Sequence, residues 1–180
     1  MEVLLVSGSL RDGSTNTAAM RAAAELVGEA GARAVLYRGM ADLPHFNPDD
    51  DREPLPPAVA ELRARLAAAD AMLCCTPEYA GDLPGSFKNL LDWTVGGVEI
   101  EGMPVAWVNV AAEGRGTGAS RALRTVLGYT GGAVVDDACV DVPVPPEAVG
   151  PDGVVRNPTI RAAIAIALDA LLATAHRRAP

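Results

Sequence analysis

Residues 8–16 read GSLRDGSTN, and this stretch lies between an apolar run, VLLV at residues 3–6, and an alanine-rich segment that ends near Gly31. Four consecutive apolar residues predict a strand that is buried on both faces, as in a parallel sheet. The alanine-rich segment predicts a helix. A strand, a glycine-containing loop and a helix in this order indicate the first unit of a doubly wound α/β fold.

The loop combines glycines with side chains that bind phosphate. Glycine lets the backbone pass close to a ligand, and exposed N–H groups at the start of a helix favour an anion. Hydroxyl groups and an arginine add donors that suit phosphate oxygens. Helix capping alone would explain Ser14 or Asn16, but it would not explain Ser9 and Arg11. The sequence therefore predicts a phosphate site on this loop.

The spacing of the loop excludes two common nucleotide sites. The dinucleotide-binding motif G-x-G-x-x-G is absent. The spacing from Gly8 to Gly13 is close to that of a Walker A loop, but Ser14 stands at the position of its lysine, so nothing there would hold the β- and γ-phosphates. The remaining interpretation is a monophosphate site on the first strand–helix turn, as for FMN in flavodoxin-like folds.

Further apolar runs predict four more strands, which alternate with helices. The strands are expected over residues 32–37, 71–76, 104–110 and 133–142. The helices are expected from about Pro57, over about residues 86–95, from about Thr117, and after the N-cap Asn157. This alternation predicts a flavodoxin-like, doubly wound, five-stranded parallel sheet in the order 2-1-3-4-5, with helices on both faces and residues 1–180 in a single domain. Ligands of such sheets bind beyond the carboxyl ends of the strands, where the loops after strands one, three and four meet.

The composition limits the class of partner. The formal net charge of −8 argues against nucleic acid and against an anionic membrane. Cys74, Cys75 and Cys139 have no metal-binding spacing and are expected to be buried and reduced, which suits a cytoplasmic protein. No signal peptide and no apolar run of membrane-spanning length is expected, and the acidic run Asp49–Asp51 is interpreted as a solvated loop, not a cation site.

Two motifs together resemble those of the NADPH-dependent FMN reductase family. GSLRDGSTN at residues 8–16 is similar to the phosphate loop of that family, and PEYAGDLPGSFKNLLDW at residues 77–93 is similar to its second signature. The family includes quinone, azo-dye and chromate reductases on a flavodoxin-like fold. The resemblance implies bound FMN, NADPH or NADH as co-substrate, a small-molecule electron acceptor, and a homodimer or homotetramer.

The resemblance also assigns contacts with FMN to three loops. The first loop would hold the phosphate, residues 77–81 would lie along the isoalloxazine ring, and the loop after the fourth strand would contact its pyrimidine end through backbone groups. The cofactor-binding residues that this implies are Ser9, Arg11, Ser14, Thr15, Asn16, Pro77, Glu78, Tyr79, Ala80, Gly81, Ala111, Glu113 and Gly114. Because FMN would carry the hydride chemistry, neither a catalytic side chain nor a metal ligand is expected.

Two residues depart from the family pattern. Ala80 stands where an asparagine is usual, and Asp82 stands where a serine is usual. Loss of the asparagine amide should remove at most one hydrogen bond, worth about 0.5–1.5 kcal/mol net, so FMN binding is still expected. The carboxylate of Asp82 would make the surroundings of the flavin more negative and would disfavour anionic acceptors.

The function expected from the resemblance is that of an FMN-dependent NAD(P)H oxidoreductase. Hydride would pass from the nicotinamide to bound FMN and then to a quinone-like, azo or other small acceptor, by a ping-pong mechanism. The alternative is a flavodoxin-type FMN electron carrier that does not oxidise NAD(P)H, although only Tyr79 is placed to flank the ring with an aromatic side chain. A receiver-like signalling domain would need an acidic pair after the first strand, where this chain has Ser7 and Gly8.

Overall fold

A parallel sheet runs through the structure, which is a computed structural model that describes residues 1–177. The strands are β1 (Glu2–Ser7), β2 (Arg33–Tyr37), β3 (Ala71–Cys75), β4 (Pro104–Asn109), β5 (Ala133–Val134) and β6 (Val140–Asp141). The helices are α1 (Thr15–Glu29), α2 (Pro57–Ala68), α3 (Gly85–Asp92), α4 (Thr117–Tyr129) and α5 (Pro158–His176). The strand order β2-β1-β3-β4-β5 confirms the predicted flavodoxin-like order.

Helices cover both faces of the sheet, as predicted. In β1, Val3 and Leu5 point to the face covered by α1 and α5, and Leu4 and Val6 point to the face covered by α2, α3 and α4. All four side chains are buried. The alternation of side chains along a strand therefore turns one continuous apolar run into two cores, one on each side of the sheet.

The fifth strand is not continuous over residues 133–142, so that prediction is wrong. β5 pairs with the start of β4 and β6 pairs with its end, but a 3₁₀ turn at Asp136–Ala138 lies between them. The carboxylate of Asp136 is exposed and forms an ion pair with Arg124 of α4 at 2.6 Å. Aspartate is unfavourable in strands, and these acidic residues leave the ladder at the edge of the sheet, where no further strand holds them.

Helix α5 is longer and more apolar than expected from the sequence. Its 19 residues, with a mean hydropathy of 1.5, have the length and composition of a membrane-spanning helix, so the expectation that no such segment exists is wrong. In the fold, Ile164, Leu168 and Leu171 of α5 pack into the core beside α1. The apolar face of this helix therefore has its partner in the sheet.

Asp49 and Asp50 of the acidic loop after β2 are exposed, as predicted, whereas Asp51 is held against α2. The carboxylate of Asp51 forms an ion pair with Arg63 of α2 at 2.6 Å, and both side chains are largely buried. Arg63 also donates to the backbone oxygen of Trp93 at 3.0 Å. No cluster of metal-ligating side chains is found here or elsewhere within residues 1–177. The loop therefore has a structural role in joining α2 to the end of α3.

Candidate functional site

The loops that follow β1, β3 and β4 meet at one edge of the sheet. In-register pairing of Ser7 with Cys75, and of Cys74 with Trp107, brings the carboxyl ends of these strands together. The loops enclose a cavity of about 380 Å³, hereafter the central cavity. Its lining residues are Ser9, Arg11, Ser14, Thr15, Asn16, Thr76, Pro77, Glu78, Tyr79, Val110, Ala111, Arg115 and Gly116.

Ser14 and Asn16 hold the first loop against the sheet. The Ser14 hydroxyl accepts from the backbone N–H of Asn16 at 3.2 Å and caps α1, and the Asn16 amide also donates to it. The thiol of Cys75 donates to Oδ1 of Asn16 at 3.2 Å, and burial raises the pKa of this thiol, which keeps its proton in place. Both side chains are therefore engaged within the protein, and the more open donors of this loop are Ser9, Arg11 and Thr15.

Two arginines give the central cavity a positive character. Arg11 comes from the loop after β1 and Arg115 from the loop after β4, and both are exposed. Neither forms an ion pair with a carboxylate in the described part of the chain. Uncompensated guanidinium groups that face a cavity suit an anionic group such as a phosphate. Arg115 was not among the cofactor-binding residues that the resemblance implied.

The carboxylate of Glu78 belongs to the start of α4. Its Oε2 accepts from the backbone N–H groups of Gly118 at 2.7 Å and Ala119 at 3.1 Å, so it satisfies donors that the first turn of a helix leaves free. The negative charge of Glu78 is thereby directed at the positive end of the helix. Glu78 fixes the loop after β3 to α4 and leaves the charge of the arginines uncompensated.

The residues after Glu78 form a tight turn. Tyr79 and Asp82 exchange backbone hydrogen bonds of 3.0 and 3.1 Å, and the two central residues have positive φ, 53° at Ala80 and 80° at Gly81. Positive φ at both central positions is the mark of a type I′ turn, for which Asn-Gly is the favoured pair. Neither central residue lines the central cavity, whereas Tyr79 lines it and is 56% exposed. The usual asparagine at position 80 is thus explained by backbone conformation.

Restoring that asparagine should stabilise the protein. The left-handed conformation at Ala80 is costly for a residue with a Cβ, and asparagine tolerates it best, so Ala80→Asn should raise the free energy of unfolding by about 1 kcal/mol. Urea denaturation followed by circular dichroism measures this change. Ala80→Val is the matched control and should destabilise, because a β-branched side chain is least tolerated at positive φ. A loss of stability in Ala80→Asn would contradict the conformational explanation.

The loop after β4 is positioned by Asn109, which the sequence analysis did not single out. This side chain is 6% exposed, and its amide donates to the backbone oxygen of Arg115 at 2.7 Å and to Asp141 at 2.8 Å. Its Oδ1 accepts from the backbone N–H of Ala111 at 3.1 Å. A Cβ at Gly116 would lie 2.2 Å from the same oxygen, so only glycine fits there. In the sequence, the position of Asn109 as a polar residue at the end of an apolar strand could have indicated this role.

The three residues of this loop that were predicted to contact FMN do not all line the same cavity. Ala111 lines the central cavity. Glu113 lines an adjoining apolar cavity of about 530 Å³, which is bounded by the proline-rich residues 143–146. Gly114 has a φ of 74° in an exposed turn and lines neither cavity. Of the proposed contacts in the loop after β4, Ala111 alone faces the central cavity.

The groups that line the central cavity suit FMN. Hydroxyl and guanidinium donors of Ser9, Arg11 and Thr15 match the oxygens of a phosphate dianion. The exposed ring of Tyr79 offers a flat apolar face for a stacked ring system, and the volume of the cavity lies within the range of cofactor pockets. Both parts that FMN requires, an anion site and a face for stacking, are therefore present.

Comparison with known proteins agrees with this geometry. Residues 1–144 match a family described as NADPH-dependent FMN reductase. The chain is 37% identical to an NAD(P)H-dependent FMN reductase of Pseudomonas aeruginosa over 119 residues, which cover 65% of this chain and 63% of that protein. It is 34% identical to a quinone reductase of Pseudomonas putida over 145 residues, which cover 78% of this chain and 74% of that protein.

A solved structure is similar along nearly the whole chain. The flavoenzyme FerB of Paracoccus denitrificans, an NAD(P)H:(acceptor) oxidoreductase, superposes with a TM-score of 0.84 at 28% identity, over 98% of this chain and 97% of that one. The match with the P. aeruginosa reductase, by contrast, spans less than two thirds of the length of that relative.

Proposed function

Because this chain belongs to the NADPH-dependent FMN reductase family, we propose that it is an FMN-dependent NAD(P)H oxidoreductase acting on small acceptors. The observation that carries the proposal is the convergence on one cavity of the exposed ring of Tyr79 with Arg11 and Arg115, neither of which forms an ion pair within residues 1–177. The names of the relatives, which include FMN reductase and quinone reductase, support the same reaction class. A quinone-like or azo compound is the proposed acceptor.

The protein would contribute binding, orientation and charge to the reaction. Ser9, Arg11 and Thr15 would hold the phosphate of FMN, and the loop that carries Tyr79 would lie along its ring. When bound, FMN supplies the hydride chemistry between the nicotinamide and the acceptor. Glu78 would keep the loop after β3 in place through its bonds to the start of α4.

The remaining predicted residues would act through their backbone groups and by fixing the shape of the loops. Ser14 and Asn16 would orient the phosphate loop, and the peptide group of Pro77 would border the ring. Ala80 and Gly81 would form the turn that holds Tyr79 beside the ring. Glu113 and Gly114 would shape the entrance through the loop after β4. Since nicotinamide and acceptor would use the same cavity one after the other, ping-pong kinetics are expected.

Anaerobic reduction tests this function directly. The protein is reconstituted with FMN, freed of excess flavin, and titrated with NADPH or NADH while the absorbance of the flavin is recorded. The proposal expects the yellow absorbance to bleach on addition of nucleotide and to return when a quinone is added. A protein that binds FMN but does not bleach would be an electron carrier, and a protein that binds no FMN would contradict the proposal altogether.

We further propose a homodimeric or homotetrameric, cytoplasmic protein built as one flavin-binding domain. Val95 and Val98 are 63% and 74% exposed between α3 and β4, and Tyr129 is 91% exposed at the end of α4. These exposed apolar side chains are the proposed contacts with a second subunit. The free thiols of Cys74 and Cys75 agree with a reducing compartment.

A further inference from the structure

A second cavity lies on the other side of the β1–α1 loop, at the carboxyl end of β2. Its volume is about 280 Å³, and we call it the β2 cavity. It shares Ser9 and Arg11 with the central cavity, so the two cavities are separated only by the first loop. The mechanism proposed above makes no use of the β2 cavity.

Three arginines from three different elements line the β2 cavity. Arg11 lies in the first loop, Arg21 lies in α1, and Arg38 directly follows β2. None of them has an ion-pair partner within residues 1–177, and the one hydrogen bond of the Arg21 guanidinium there is a long one of 3.4 Å to the backbone oxygen of Gly153. Asp12 is the one carboxylate among the lining residues.

This local excess of positive charge is unusual in a chain whose formal net charge is −8. Three arginines and a single carboxylate around one cavity leave an excess of positive charge, which a bound phosphate dianion would neutralise while accepting hydrogen bonds. The charge of the β2 cavity therefore points to a phosphorylated ligand.

The remaining lining residues add an apolar wall. Leu36 and Met40 lie on the β2 side, and Leu10, which is 55% exposed, lies on the side of the first loop. An apolar wall beside an anion site matches a nucleoside, whose base packs on aliphatic side chains while its phosphate meets the arginines.

We propose that the β2 cavity binds the 2′-phosphoadenosine end of NADPH, with Arg21 and Arg38 as the residues that favour NADPH over NADH. The proposal rests on the proposed function and adds the place where the adenosine end binds and the residues that would select NADPH over NADH. Since Ser9 and Arg11 border both cavities, one extended dinucleotide would cross the first loop and reach from the β2 cavity to the central cavity.

Calorimetry on the FMN-loaded protein tests the site without turnover. Adenosine 2′,5′-bisphosphate should bind, and 5′-AMP should bind at least about tenfold more weakly, because the 2′-phosphate makes the charged contacts. Arg38→Ala and Arg21→Ala should each remove most of this difference and leave the affinity for FMN unchanged. Arg33→Ala is the matched control, since Arg33 lies at the opposite end of β2 with a side chain 72% exposed, and it should have no effect.

Steady-state kinetics tests the specificity. In Arg38→Ala, the KM for NADPH should rise about tenfold while the KM for NADH stays constant. Equal affinities for the two adenosine nucleotides in the unmodified protein, or a preference for NADPH that survives in the double variant of Arg21 and Arg38, would overturn the inference. Failure of the proposed function would give a different result. In that case neither NADPH nor NADH would bleach the flavin, whereas the calorimetric comparison of the two adenosine nucleotides could still be made.

Discussion

Arg11→Ala should weaken the binding of FMN by about 1.5–3 kcal/mol, roughly ten- to a hundred-fold in Kd, which is the range for a hydrogen bond to a charged group. Arg11 is exposed, faces the central cavity and has no carboxylate partner in the described chain, so its guanidinium is available for a ligand. Removing it should not disturb folding. Quenching of flavin fluorescence on titration of the apoprotein measures the change in Kd.

The control for Arg11→Ala is Arg65→Ala. Arg65 is a surface arginine of α2 that pairs with Glu61 and does not line the central cavity, and its removal should leave the Kd for FMN unchanged. Arg11→Lys should recover part of the affinity, because it retains the charge but loses the forked geometry. If Arg11→Ala bound FMN as tightly as the unmodified protein, the phosphate could not lie on this loop as proposed.

Gly118→Ala should disrupt both stability and the site. A Cβ at Gly118 would lie 2.2 Å from the backbone oxygen of Gly81 and 2.8 Å from Oε2 of Glu78, and a backbone atom cannot yield by a rotamer change. Either the first turn of α4 or the turn at Tyr79–Asp82 must move. Overpacking of this kind costs about 1–3 kcal/mol, and the displaced Tyr79 loop should weaken FMN binding in addition.

Gly128→Ala offers a control within the same helix. No atom of the described residues 1–177 lies within 4 Å of a Cβ at Gly128, so the substitution should remove only the flexibility of glycine and stabilise the protein by up to about 1 kcal/mol. Urea denaturation gives both changes in unfolding free energy, and flavin titration gives the change in Kd. If the two variants behaved alike, the contact between α4 and the loop after β3 would have no energetic role.

Apolar runs sufficed to predict the sheet wherever strands are buried on both faces. β1, β3 and β4 were found within one residue of their limits, because the central positions of a strand between two helical layers are apolar. The edge of the sheet did not follow this rule. Residues 133–142 kept the apolar composition of a strand, yet Asp136 and its neighbour left the ladder for a turn.

The candidate site shows the same division between local and distant information. The phosphate loop was recognisable because its glycines, hydroxyls and arginine lie within nine consecutive residues, 8–16. Asn109 was not predicted as a site residue, since its role arises from contacts across loops. Arg115 was not predicted among the FMN contacts, since only the folded loop after β4 brings it to the central cavity. The capping role of Glu78 is likewise invisible along the chain, because its partners are 40 and 41 residues away.

By itself, the sequence determined the class of fold, the order of its elements and the loop that would hold a phosphate. These properties depend on burial patterns and on donors that are adjacent in the chain, and both can be recognised within a short segment of sequence. The tertiary structure alone decided which side chains of that loop remain open, which glycines touch another backbone, and that Arg21 and Arg38 join Arg11 around a second cavity. Such contacts depend on strand register and helix packing, and these bring together residues whose separation in the sequence carries no signal.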